Sequence, residues 1–324
     1  MSNHVHTVLR NRPDLVATWS DEEVAVRWLK VFPGRRIEEQ LASPSQSDVE
    51  ALVRDTKKLA EIRVRLADIS WFMRALAEPI ARMANREDDC TGRFWEGRFK
   101  AQRILDEAGL LACAMYVDLN PIRAALAESI ELAVHTSAYD RLMGQRGQEI
   151  DSAAFDLAVL SNQEAGDFHR HQTLAQQRAA LQQQGRHVQR RSGRRIPRDG
   201  WLAPLPLGRE ELSRDPQPHR DGLRASDRGF LRLDWKGYLS LLRWTAGGTS
   251  GAAVGPEDAA AAQSVLSGLG IDGDMWRDLV WNFRRYFGSS SCAGKPESMA
   301  AHAQQHGKRW RRGQKRVGGC LANT

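Results

Sequence analysis

The chain has 324 residues, with 47 Lys+Arg against 40 Asp+Glu, a formal net charge of +7 and an isoelectric point near 9.5. At 41% hydrophobic and 27% charged it has the composition of a soluble globular protein of about two domains, and it is neither collagen-like nor wholly disordered. It has no run of about 18 apolar residues, and Met-Ser-Asn-His-Val-His is not a secretory leader, so a membrane-spanning or secreted chain is not expected.

Residues 3–10 alternate around Val5 and predict a strand carrying His4 and His6. A turn is expected over 11–14. Ser20 and Glu23 have capping-box spacing, so a helix opens there and stops before Pro33-Gly34. Residues 41–47 read as a Ser/Pro loop. One amphipathic helix is predicted over 48–66, with Leu52, Leu59, Ile62 and Leu66 on its apolar face. A second starts near Asp68, with Phe72, Met73, Leu76 and Ile80 on one face and Pro79 within it. After a glycine-rich turn at 92–97, residues 98–105 predict a second strand. Asp106 caps a helix through Leu119, which Asn120-Pro121 is expected to end, and 122–132 predicts a short helix.

Beyond residue 150 the pattern weakens. Residues 151–185 read as polar, Gln-rich helices, and 186–232 as an Arg/Pro/Gly linker. Helices follow over 234–245, 257–269, 272–287 and 296–306, with a loop over 247–255 and a basic tail. Trp276, Trp281, Phe283 and Phe287 are the expected core of this part.

Charge and cysteine usage add two constraints. Residues 1–150 hold 21 Lys+Arg and 23 Asp+Glu, a net of −2, and residues 151–324 hold 26 and 17, a net of +9. The excess lies in the acid-free tract 168–198 and in the tail after Glu297; a solvated face or contact with a polyanion would account for it. Cys90, Cys113, Cys292 and Cys320 are far apart with no CxxC pair, which argues against a zinc knuckle or disulfide framework and fits a cytoplasmic protein.

Three segments carry potential chemistry. On a strand, His4 and His6 would face the same way and could share a metal ion, although an isolated H-x-H pair is unspecific. Tyr116 and Asn120 are four apart, hence on one helix face. A phenol there can attack phosphorus, and an amide oxygen can ligate a hard metal; the plain alternatives are a packing Tyr and a helix stop. Gly92-Arg93-Phe94-Trp95-Glu96-Gly97-Arg98-Phe99-Lys100 mixes aromatics with cations, which suits single-stranded nucleic acid; as a plain turn it would instead bury Phe94 and Phe99.

In order and spacing, Asn3-His4-Val5-His6, Gly92 to Lys100 and Tyr116-Val-Asp-Leu-Asn120-Pro121-Ile-Arg123 resemble the signature segments of single-tyrosine HUH transposases, closest to the REP-associated tyrosine transposases and longer insertion-sequence relatives. Ile69-Ser70-Trp71-Phe72-Met73 resembles the helix ahead of the glycine turn. The resemblance covers residues 2–132; 229–245, 294–298 and Trp310 are similar to the C-terminal extension of longer members.

The resemblance implies an α+β chain, predominantly helical, with an incomplete ferredoxin-like antiparallel sheet of the HUH type and a helical C-terminal extension. The implied divisions are a catalytic domain over 1–150, a basic linker region over 151–232 and a helical extension over 233–324. It implies a DNA transposase that cuts and rejoins single-stranded or hairpin DNA. Tyr116 would be the nucleophile, forming a 5′-phosphotyrosine link. His4, His6 and Asn120 would hold Mg2+ or Mn2+, a Lewis acid for the phosphodiester. Arg93, Arg98, Lys100 and Arg123 would contact DNA. Relatives act as monomers or dimers, so a homodimer is among the expected states.

The family places a strand–helix–strand unit before the histidine strand, whereas here the histidines begin at residue 4. The expectation is therefore a domain truncated at its N-terminus, through a misassigned start or a decayed copy, with weakened activity. The alternatives are a non-catalytic DNA-binding protein derived from a transposase and a structural remnant.

Overall fold

The computed structural model describes residues 4–32, 44–151, 195–207, 224, 226–250, 254–309 and 317. The Gln-rich helices expected over 151–185 beyond residue 151, most of the basic tract 168–198, residues 41–43 of the expected loop, Trp310 and Cys320 lie outside the described residues. The described chain is predominantly helical, with two short two-stranded sheets. It divides into two compact units, one of residues 10–99 and 149–197, the other of residues 1–9, 100–148 and 198–324.

The first unit contains α1 (Pro13–Thr18), α2 (Asp21–Val31), α3 (Gln46–Arg54), α4 (Thr56–Leu66) and α5 (Ile69–Glu87). The turn expected at 11–14 is the start of α1: Pro13 occupies its first turn, where a fixed φ and a missing N–H suit a helix. The capping box forms, with the Glu23 amide donating to Ser20 Oγ at 3.1 Å and the Ser20 amide to Glu23 Oε2 at 2.9 Å. The helix expected over 48–66 is two helices. Asp55 ends α3 outside helical geometry, and its carboxylate caps α4 by accepting from the Lys58 amide at 3.0 Å.

Val24, Val49, Leu52, Leu59 and Ile62 form the core of this bundle. Arg63 ties α4 to the first two helices, donating to the Val16 and Trp19 carbonyls and pairing with Asp21. The apolar face expected on α5 is not a core face: Pro79 is its buried residue, and Phe72 is 48% exposed. The glycine turn needs its glycine, since Gly92 has φ +115°, and Asn85 Nδ2 donates to the Gly92 carbonyl at 3.0 Å. In the same unit β2 (Glu149–Asp151) pairs antiparallel with β3 (Arg195–Pro197), setting Ile150 opposite Ile196.

The second unit is organised around α6 (Glu107–Asp118). This helix is apolar nearly all round, the pattern of one buried on several sides. Leu111, Met115 and Leu119 pack with Tyr238, Leu241 and Leu242 of α9 (Trp235–Ser250) in one core. Asp106 caps α6 at the Gly109 amide (2.8 Å) and also accepts from the Lys295 amide (2.6 Å). A Cβ on Gly109 would lie 2.9 Å from Gly294 Cα, so the helix approaches that strand end more closely than alanine allows.

Several expectations change here. Residues 4–10 form no strand, and Val5 is 62% exposed, so that segment has neither a partner strand nor an apolar face to bury. Within 98–105 only β1 (Arg103–Ile104) is a strand, and it pairs parallel with β4 (Cys292–Ala293), not with the histidine segment. No ferredoxin-like sheet forms among the described residues. Asn120-Pro121 does not stop the helix: α7 (Asn120–Arg123) follows directly, with the Leu119 amide on the Met115 carbonyl and the Arg123 amide on the Leu119 carbonyl. The helix expected over 122–132 is cut short at Ala125, whose φ is +52°. After a 3-10 turn at Ile130–Leu132, α8 spans Ser137–Gln145.

The described part of the expected linker is packed, not free: Leu205 and Leu231 join the core, and Gly229 is required there because a Cβ would sit 1.8 Å from the Pro206 carbonyl oxygen. Helix α9 runs through the start of the loop expected at 247, and α10 (Pro256–Leu269) follows. The helix expected over 272–287 breaks at Asn282 into α11 (Gly273–Trp281) and α12 (Phe283–Phe287), and α13 spans Pro296–Gln305. Trp276, Phe283 and Phe287 are buried as expected, and Trp281 is half-buried. Among the described residues no helix is long and apolar enough to cross a membrane.

Candidate functional site

The second unit brings the histidine segment onto Tyr116. Although His4 and His6 lie on irregular backbone, their ring centroids are 4.8 Å apart. The His6 ring is edge-on to the Tyr116 ring at 5.4 Å. Arg123, two turns after the tyrosine, sets its guanidinium carbon 4.7 Å from the Tyr116 ring centroid, a cation–π contact. Phe283, at the start of α12, stacks on Tyr116 itself, with ring centroids 4.9 Å apart and planes 26° from parallel. Tyr116 is 5% exposed under these neighbours.

Two polar atoms in this cluster are sealed from solvent and have no hydrogen-bond partner among the described residues: His6 Nε2 and Arg123 Nε. Burial lowers the His6 pKa to about 4, assisted by the charges of His4, Arg284 and Arg123. At neutral pH the His6 ring is therefore uncharged, the form that ligates a metal or accepts a proton.

Asn120 is buried as the first residue of α7, one helical turn beyond Tyr116. Between them, Asp118 anchors the segment from the opposite side. Its carboxylate accepts from Tyr238 Oη at 2.7 Å, from Ser137 Oγ at 2.8 Å and from the Ala138 amide at 3.2 Å. Burial raises the Asp118 pKa against the pull of these bonds, and burial with the adjacent carboxylate pushes the Tyr238 phenol well up. Asp118 is thus a tether between α6, α8 and α9, not a ligand facing the tyrosine site.

The donor set near Tyr116 consists of two imidazoles and one carboxamide. None of the three is a carboxylate, and the Arg123 guanidinium adjoins them. Such a set fits an imidazole-accepting dication, Mn2+ better than Mg2+, with an anionic substrate completing the charge balance. No group of three or more His, Cys, Asp or Glu with metal-binding placement occurs among the described residues.

The other expected DNA contacts are placed elsewhere. Arg93 and Arg98 are exposed on the first unit, and Lys100 is exposed on the second. The aromatics of the glycine turn are not core residues. Phe94 is 42% and Phe99 38% exposed, while Trp95 fixes the turn by donating Nε1 to the Ala77 carbonyl at 2.8 Å. Sequence reasoning missed Arg284 and the closeness of Phe283 to Tyr116, because more than a hundred residues separate them from it and no spacing rule links them. The signal for Asp118 was present, since an acid amid the apolar residues of α6 must find partners.

Comparison with known protein families, with curated proteins and with solved structures gives no match for this chain.

Proposed function

We propose that the chain is a metal-assisted DNA strand transferase of the single-tyrosine HUH type, acting on single-stranded or hairpin DNA. The supporting observation is that His6, with His4 against it, meets Tyr116, residues from distant segments that the family resemblance assigns to one reaction. Tyr116 Oη would attack phosphorus while the P–O3′ bond breaks. The phenolic proton is lost, the leaving 3′ oxygen gains one, and a phosphodiester to tyrosine retains the bond energy for rejoining. A dication held by His4, His6 and Asn120 would supply Lewis acidity at the phosphodiester. His6, neutral and with a buried, unpartnered Nε2, would either ligate that ion or take the phenolic proton once the site opens. Arg123 and the exposed Lys100 offer charge to the DNA backbone on the same unit; Arg93 and Arg98 offer it on the other.

A labelled hairpin oligonucleotide incubated with the chain and Mn2+ should migrate as a covalent adduct on a denaturing gel, and Tyr116→Phe should abolish it. Adduct that persists in the Phe variant removes Tyr116 from the role.

One observation favours a second reading, a non-catalytic DNA-binding protein: Tyr116 lies 5% exposed beneath Phe283 and must be uncovered to meet phosphorus. That reading predicts salt-dependent DNA binding indifferent to Tyr116→Phe and to chelators.

A further inference from the structure

The first unit carries a groove of about 380 Å³, lined along α5 by Arg74, Ala77, Ala81 and Arg82 and on the glycine turn by Gly92 and Trp95. That volume falls at the lower end of small-ligand sites, roughly 300–1,000 Å³. Two bonds tie the turn to the helix: Trp95 Nε1 donates to the Ala77 carbonyl at 2.8 Å, and Asn85 Nδ2 to the Gly92 carbonyl at 3.0 Å. The indole is thereby pinned against α5. Ala77 and Ala81, four apart on one helix face, leave room beside it that longer side chains would fill. Glu78 lies between the two arginines, four residues from each. Its carboxylate pairs with Arg82 and stands 3.8 Å from Arg74 Nε. Arg74 is also steadied by Trp71, whose ring centroid is 5.2 Å from its guanidinium carbon. Two guanidiniums against one carboxylate leave the groove one positive charge in excess. A slot with an aromatic wall and one surplus cation fits a planar aromatic group that carries a single negative charge. A nucleotide within a single strand, one base with one phosphodiester, has that chemistry.

We propose that this groove binds one unpaired nucleotide of single-stranded DNA, with the base against Trp95 and the adjoining phosphate held by Arg74 and Arg82 in place of Glu78. None of these residues belongs to the tyrosine site or to the charge contacts assigned above. The groove therefore adds recognition of a base, which a duplex keeps stacked and paired. The choice of DNA as the strand rests on the proposed function; the preference for an unpaired base rests on the groove alone.

The test compares a fluorescent oligothymidylate with an abasic strand of the same length, which keeps the phosphates and lacks the bases. Binding is followed by anisotropy in EDTA, where no adduct forms, and adduct yield is followed separately in Mn2+. The wild-type chain should favour the oligothymidylate about tenfold, within the range for one base on an aromatic ring. Ala81→Leu, which fills the groove without changing its charge, should bring the two strands to equal affinity. Arg82→Gln, at the exposed rim, should weaken both and reduce the salt slope by about 0.7, the value for one phosphate contact on a single strand. Arg54→Gln, on α3 and paired with Glu50, is the control and should alter neither preference nor slope. Equal wild-type affinity for the two strands overturns the proposal, as does a base preference that survives Ala81→Leu or a salt slope unchanged in Arg82→Gln. Duplex bound as tightly as the single strand also overturns it. A matched RNA strand bound more tightly overturns the choice of DNA, and polyglutamate bound with the same sensitivity to Ala81→Leu assigns the groove to an acidic protein instead. The adduct assay separates this inference from the reading it rests on. A base preference lost in Ala81→Leu, with no wild-type adduct, keeps the groove and sinks the transferase reading; a normal adduct with no base preference does the reverse.

Discussion

Asp118→Ala should be among the most destabilising single substitutions in the second unit. The carboxylate is 2% exposed and accepts from three donors, of which Tyr238 Oη and the Ala138 amide sit on residues 1% and 0% exposed. Ser137 is only half-buried and can turn to water, so two donors are left sealed. Each orphaned donor costs ~1–3 kcal/mol, a gross loss of roughly 2–6 kcal/mol. Removing a desolvated carboxylate returns part of this, leaving a net loss of roughly 2–4 kcal/mol. Urea unfolding followed by tryptophan fluorescence reads it directly, since Trp276 is in the same core. A double cycle with Tyr238→Phe should show strong non-additivity, because removing either partner already breaks the link. A loss below about 1 kcal/mol for Asp118→Ala, or additive effects in the cycle, would refute the claim that this tether fixes the segment from Tyr116 to Asn120.

Three further outcomes follow. Asp118 has its pKa raised by burial, so its contribution to stability is full below the ordinary carboxylate pKa and is lost as pH rises through the folded value; Asp118→Asn should lack that slope in unfolding measured across pH. His6 runs the other way: with its pKa lowered from 6.5 to about 4, it favours the fold above pH 6.5, and that contribution drains away as pH falls towards 4, so its NMR-titrated midpoint should lie near 4 and move up in Arg284→Gln. Gly109→Ala should destabilise by about 1–3 kcal/mol, because its Cβ meets Gly294 Cα at 2.9 Å; a neutral effect in thermal unfolding would mean that α6 and the strand end can separate without cost.

Local signals in the sequence translated into structure where the physics is local. The Ser20–Glu23 box, the Asp68 and Asp106 caps and the helices Pro256–Leu269 and Pro296–Gln305 follow from capping chemistry and apolar period, and they form where expected. Tertiary context overrode them elsewhere. Alternation around Val5 is a strand signal only if a neighbouring strand accepts its backbone, and residues 4–10 have none. Pro121 reads as a helix stop, yet it sits at the first turn of α7, the one place where proline costs nothing. Met73 and Leu76 have helical spacing, but among the described residues their face of α5 is only partly covered. For the site, the His4–His6 proximity survives without the strand that motivated it, and Arg123 lands on the tyrosine. Phe283 was not legible because its approach to Tyr116 is a long-range consequence of packing α11 and α12 on α6.

The central claim is that Tyr116 is the residue that takes up DNA. Peptide mapping by mass spectrometry after incubation with hairpin DNA and Mn2+, followed by nuclease trimming, measures it directly. The account predicts a nucleotide-phosphate mass on the peptide containing Tyr116 and on no other tyrosine, and its absence in Tyr116→Phe. A modified peptide containing Tyr139, Tyr238 or Tyr286 instead, or an unmodified chain under conditions where the DNA is bound, would contradict it.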